Sequence, residues 1–165
     1  MNPFAERQSD IHAIAPIGPL EDSGSKYDRL IARAKQVPPA KTIVVHPCDE
    51  TSLRGPVEAA EAGIIEPILV GPALKILSMA RAAQLDIGRY EIVDTPHSEA
   101  AAAKGVELIR QSKAELLMKG SLHTDELMRA VASAQHGLRT ARRISHVFIM
   151  DVPTYAETLF ITDGR

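Results

Sequence analysis

The sequence has no tryptophan, few aromatic residues (4%) and a single cysteine, Cys48. With so few rings, any core has to be assembled from Ala, Ile, Leu and Val. Apolar residues make up 45% of the 165, enough for a substantial one. One cysteine excludes an internal disulfide framework and fits a reducing compartment. No apolar run approaches the roughly 20 residues of a membrane-spanning helix. Met1 to Asp10 is polar and mixed in charge, unlike a signal peptide. The formal net charge of −2 gives no general electrostatic case for nucleic acid. These absences point to a soluble cytoplasmic α/β domain with small-molecule partners, neither nucleic acid nor membrane.

Other absences concern motifs. There is no G-x-G-x-x-G and no G-x-x-x-x-G-K-[ST], so neither a dinucleotide fingerprint nor a Walker loop is present. There is no G-x-S-x-G nucleophile elbow. No close His/Cys/carboxylate set has metal-ligand spacing, so no metal is expected. Asp49-Glu50 reads as a helix start rather than an acid–base pair.

What is present is a regular alternation. Residues 1–26, with Pro3, Pro16, Gly18, Pro19 and Gly24, read as an arm or linker. Tyr27, Leu30, Ile31 and Ala34 share a helical face, and Pro38-Pro39 ends that helix. Short apolar strands at Ile43-Val45, Ile68-Val70, Ile92-Val93 and Leu116-Met118 then alternate with helices near 50–62, 73–84, 97–111 and 124–134. Thr95 is the expected N-cap of the third of these and Thr124 of the fourth. Pro56 falls inside the first, which is therefore expected to begin late or kink. Strands without polar alternation are buried on both faces, so the pattern predicts an open parallel sheet with helices on both sides. The rhythm breaks near residue 140. A basic stretch with Arg139, Arg142 and Arg143 precedes two strands, 146–150 and 159–161, around a turn at Val152-Pro153-Thr154-Tyr155. This divides the chain into a domain at 27–140 and the start of a second at 141–165.

Ligands of open parallel sheets bind beyond the carboxyl ends of the strands. There the sequence offers His46-Pro47-Cys48-Asp49, Gly71-Pro72, Asp94-Thr95-Pro96-His97 and Lys119-Gly120-Ser121-Leu122-His123-Thr124. The last loop is the richest. It has a point charge in Lys119, a glycine that lets backbone approach a ligand, hydroxyls on Ser121 and Thr124, and the N-terminus of a helix that carries Arg129. The same residues also suit an ordinary strand-to-helix turn with an N-cap. His123, His46 and His97 follow three different strands. Cys48 reads as a small packing residue. Arg139, Arg142 and Arg143 suit either a solvated loop or an anchor for the phosphates of a large anionic ligand.

Three stretches carry a specific resemblance: Val45-His46-Pro47-Cys48-Asp49-Glu50 with Ser52-Leu53-Arg54, Leu117 to Met128, and Gly137 to Val147. Together they resemble the phosphate acetyltransferase/butyryltransferase family, in particular transferase parts fused behind an enoyl-CoA hydratase-like domain. The resemblance implies an isocitrate/isopropylmalate dehydrogenase-like fold of two α/β domains around a cleft. It implies acyl transfer between phosphate and coenzyme A, with coenzyme A a substrate and no permanently bound cofactor. It places Lys119, Gly120, Ser121, His123, Thr124, Arg129, Arg142 and Arg143 at the substrate. The family's base lies in a segment with no counterpart here, so no catalytic residue is carried over. The expectation is a binding half that is inefficient in catalysis alone and dimerises through its C-terminal strands.

Overall fold

In the computed structural model, residues 26–142 and 144–162 are described. By contacts the chain divides into two compact units, one of 34–145 and one that brings 26–33 together with 146–162. Arg143 and the 1–25 stretch lie outside the described residues.

The larger unit holds four strands, β1 (Ala40–Val45), β2 (Ile65–Gly71), β3 (Glu91–Asp94) and β4 (Leu116–Lys119). All pair in parallel, in the order β3-β2-β1-β4. Helices α2 (Glu50–Glu61), α3 (Ala73–Ala82), α4 (Ser98–Arg110) and α5 (Thr124–Val131) follow the strands in turn. This is the helix-flanked parallel sheet that the unalternating apolar runs predict, but burial on both faces holds for β1 and most of β2 only. The edge strands β3 and β4, with no further strand on their outer side among the described residues, have no buried residue. Pro67 on β2 lies opposite Thr42 of β1, one residue before the pairing with β3 begins at Ile68. The missing N–H of Pro67 therefore falls outside the β2–β3 ladder.

The pleat of β1 sorts the core into two layers. Ile43 and Val45 pack with Ala101, Ala102, Ile109, Leu122 and Leu127 of α4, α5 and the loop before α5. Val44 points the other way, to Leu53 and Val57 of α2, Ile76 and Ala80 of α3, and Ile87. Small residues substitute for the missing rings. On α4, a Cβ at Gly105 would sit 2.9 Å from Val45 Cγ2 and 3.2 Å from Ile43 Cγ2, so the glycine sets how close the helix lies to the sheet.

Two expected helix starts are corrected. The N-cap of α4 is His97, not Thr95: its Nδ1 accepts from Ala100 N at 3.2 Å. The N-cap of α5 is His123, with Thr124 the first helical residue. At α4 the imidazole nitrogen does the work that a hydroxyl was expected to do; at α5 the closing bond runs from His123 N to Glu126 Oε2 at 3.2 Å. Helix α2 does not begin late, and it runs on through Pro56 to Glu61. It starts at Glu50, behind a reciprocal cap in which Ser52 N donates to Asp49 Oδ1 at 2.8 Å and Asp49 N to Ser52 Oγ at 3.4 Å. Pro56 gives up one helix bond to the Ser52 carbonyl, and its ring is buried.

In the smaller unit, α1 (Lys26–Ala34) is followed, far along the chain, by an antiparallel hairpin of β5 (Val147–Met150) and β6 (Leu159–Thr162). Tyr155 N donates to Val152 O at 3.0 Å, the expected turn. Lys26 ties the two parts together, with Nζ on Asp151 Oδ1 at 2.9 Å and on the Val152 carbonyl. Val147, Phe148, Ile149, Met150, Phe160 and Ile161 are all exposed, the two phenylalanines by 54% and 62%. No helix among the described residues is long and apolar enough to cross a membrane.

Candidate functional site

The chain runs outward from β1 through β2 to β3, then returns to place β4 on the other side of β1. Beyond the carboxyl ends of β1 and β4, therefore, successive connections diverge to opposite sides. Open α/β sheets form their ligand crevices at such a switch point.

At this point the two loops are bonded to each other. Gly120 N donates to Val45 O at 2.8 Å and Ser121 N to His46 O at 2.9 Å, extending the β1–β4 ladder past the strand ends. Ser121 Oγ donates to His46 O at 2.8 Å and lies 3.1 Å from His46 Nδ1, and Cys48 N approaches the same Oγ at 3.3 Å. Cys48 N also turns back to His46 O at 2.9 Å, a three-residue turn around Pro47. His46 has φ of 55°, the left-handed region that costs a residue with a Cβ roughly 1 kcal/mol or more. Its N–H on Val70 O at 2.7 Å and the donors converging on its carbonyl hold it there.

Gly120 is needed for this junction. A Cβ there would fall against the carbonyl oxygens of Val45 and His46. Lys119 folds onto its own loop, with Nζ on Leu122 O at 2.9 Å and Gly120 O at 3.2 Å. Beside the junction a cleft of about 430 Å³ is lined by Met118, Lys119, Gly120 and Ser121 on one side and by Asp49, Thr51, Ser52, Gly55 and Pro56 of the cap and helix α2 on the other. Asp49, at its rim, is held below the usual carboxylate range by hydrogen bonds from Ser52 and by the Lys119 cation.

The structure thus gathers Lys119, Gly120 and Ser121 in one cleft, among the described residues without His123, Thr124, Arg129 or Arg142. His123, Thr124 and Arg129 sit along α5, where exposed Arg129 pairs with Asp125 at 3.7 Å. Arg142 lies further on, its N–H on Thr140 Oγ1 at 3.1 Å. Two neighbours were not singled out by sequence as site residues. His46 is lowered from 6.5, first by burial and then by the Lys75 cation of α3. Burial pushes the Cys48 thiol up, which keeps it protonated and packed against the α2–α3 layer. No group of three His, Cys, Asp or Glu gathers as a metal site among the described residues.

The chain is 68% identical over 140 residues to a phosphate acetyltransferase of Rhizobium meliloti, covering 85% of this chain and 44% of that protein. It is 46% identical over 145 residues to a phosphate acetyltransferase of Rickettsia typhi (88% and 42%) and 37% identical over 138 to a phosphate butyryltransferase of Clostridium beijerinckii (84% and 46%). Over the matched stretch, this chain is a homologue of the phosphate acetyltransferase/butyryltransferase family. It spans less than half the length of each of these relatives. No family model matches. Two solved structures share the fold: a EutD phosphotransacetylase from Staphylococcus aureus (TM-score 0.60, 16% identity, 84% of this chain and 50% of that one) and a branched-chain phosphotransacylase from Enterococcus faecalis V583 (0.56, 18%, 74% and 42%).

Proposed function

We propose that this chain is the substrate-binding part of a phosphate acyltransferase that moves an acetyl or butyryl group between phosphate and coenzyme A. The observation that carries the reading is the β1–β4 junction. In a homologue of transferases, the two loops at the sheet's switch point are locked together beside an open cleft that carries Lys119 and Ser121.

The chemistry suits such a cleft. A thiolate attacks the acyl phosphate carbonyl, the new C–S bond forms, the C–O bond to phosphate breaks, and phosphate leaves with the electron pair. The thiol proton passes to a base. Lys119 and the N–H groups at the starts of α2 and α5 supply positive potential for the phosphate, and Ser121 is a hydroxyl donor at the cleft wall. Arg129, Arg142 and Arg143 are the cations that would meet the phosphates of coenzyme A, with His123 and Thr124 at the entrance to α5.

Coenzyme A is a substrate in this reading, and no cofactor is held permanently. The sheet belongs to an isocitrate/isopropylmalate dehydrogenase-like domain at 27–140, with a second domain starting at 141–165. The exposed apolar hairpin of β5 and β6 is the contact of a homodimer in the cytoplasm. The test is to incubate the protein with acetyl phosphate or butyryl phosphate and coenzyme A, following thioester absorbance, and to titrate coenzyme A by calorimetry. Coenzyme A binding that weakens in Lys119→Ala is expected. No binding of coenzyme A or of either acyl phosphate would overturn the proposal.

A further inference from the structure

Counting protons at the β1–β4 junction gives the state of one ring. Ser121 Oγ lies 2.8 Å from the His46 carbonyl oxygen, a contact between two oxygens that needs a hydrogen between them. The carbonyl has none, so the hydroxyl proton of Ser121 points at His46 O. That proton is then unavailable for His46 Nδ1, 3.1 Å from the same Oγ. The contact is satisfied only if Nδ1 carries the hydrogen and donates it to a lone pair of Oγ. The opposite tautomer would set two lone pairs against each other at 3.1 Å, or turn the hydroxyl proton to Nδ1 and leave two oxygens 2.8 Å apart with no hydrogen between them, although Ser121 N and Cys48 N would still donate to the carbonyl. Cys48 N, on Oγ at 3.3 Å, occupies the remaining acceptor side.

We propose that Ser121 is a positioning residue for His46: it fixes the neutral imidazole as the Nδ1–H tautomer and leaves Nε2 as a hydrogen-bond acceptor at the switch point. The geometry needs nothing from the acyltransferase reading, and it holds or fails separately. The left-handed backbone at His46 belongs to the same arrangement, because it turns the carbonyl and Nδ1 of one residue towards one hydroxyl. Among the described residues Nε2 has no partner, so it remains open to an O–H, N–H or S–H group of a ligand. Isolated imidazoles favour the Nε2–H form, so the assignment runs against the default. His97 is a built-in control. Its Nδ1 accepts from Ala100 N, which requires hydrogen on Nε2.

The experiment is long-range proton–nitrogen correlation NMR on the uniformly labelled protein at a pH where His46 is neutral. The expected result is Nδ1 protonated and Nε2 unprotonated for His46, with the reverse for His97. Ser121→Ala should move His46 to a mixture dominated by Nε2–H and leave His97 unchanged, and Ser121→Thr, which keeps the hydroxyl, should restore it. His46→Asn assigns the resonances. It retains a side-chain N–H near Oγ and tolerates positive φ, and the unaltered protein and Ser121→Thr keep the test decisive if Ser121→Ala fails to fold. An Nε2–H His46 in the unaltered protein, or a tautomer indifferent to Ser121→Ala in a folded variant, would overturn the proposal.

Discussion

The Ser98 hydroxyl donates to Glu126 Oε1 at 2.7 Å, tying the first residue of α4 to the third of α5. The other oxygen of the same carboxylate accepts from His123 N at 3.2 Å. One side chain thus closes the start of its own helix and fixes it to the neighbouring one. Both bonds favour the ionised form, and the Ser98 bond, the larger effect, holds the carboxyl below its ordinary value. A carboxylate with a depressed folded pKa stabilises the fold above its unfolded value and loses that contribution as pH falls through the folded one. Stability should therefore drop as pH is lowered below 4.5, and Glu126→Gln should flatten that part of the curve. Denaturant midpoints across the acid range check it.

His46 has the opposite charge type and a related sign. Its folded pKa is lowered, so the unfolded chain takes up a proton first as pH falls below 6.5, and stability declines there. Burial is the main cause. Lys75 adds to it, while Glu126 and Asp49 oppose it. Lys75→Met should move the His46 titration back towards 6.5, read by NMR. Unchanged titration in Lys75→Met would remove Lys75 as a cause.

Gly120→Ala should destabilise the larger unit by about 1–3 kcal/mol, since the added methyl meets carbonyl oxygens of a strand end that is itself hydrogen-bonded and cannot recede. Thermal or denaturant unfolding measures this. A neutral variant would mean that the loop relaxes away from β1.

Leu53, fully buried between α2 and the sheet, gives a calibration of the core. Leu53→Ala should cost about 2–5 kcal/mol, as a transfer term plus a cavity term. Equilibrium unfolding should show a lower midpoint with an unchanged slope.

Much of the larger unit was legible because its signals are local. Ile43-Val44-Val45 is apolar on both faces, and only a covered parallel strand uses such a run. The place of the Lys119 to Ser121 loop beside a cleft was legible for the same reason, since it follows a strand directly. The caps were misread because Thr95 and Thr124 satisfy the usual preference, but His97 and His123 hold the positions. The His46–Ser121 pair was not legible, because 75 residues separate its members and only the strand order β2-β1-β4 brings them together. Gly120 was read for the right property, close approach, but its neighbour is the end of β1.

The central place of β1 has a consequence for local opening. Its residues 42–45 are paired on both edges and buried on both faces, so their amides cannot meet solvent unless the whole sheet comes apart. In hydrogen exchange they should be the slowest in the chain, opening at the free energy of global unfolding. The amides of the hairpin, two exposed strands with one partner each, should exchange orders of magnitude sooner. The His46 turn, which receives the Ser121 hydroxyl, hangs directly from this strand.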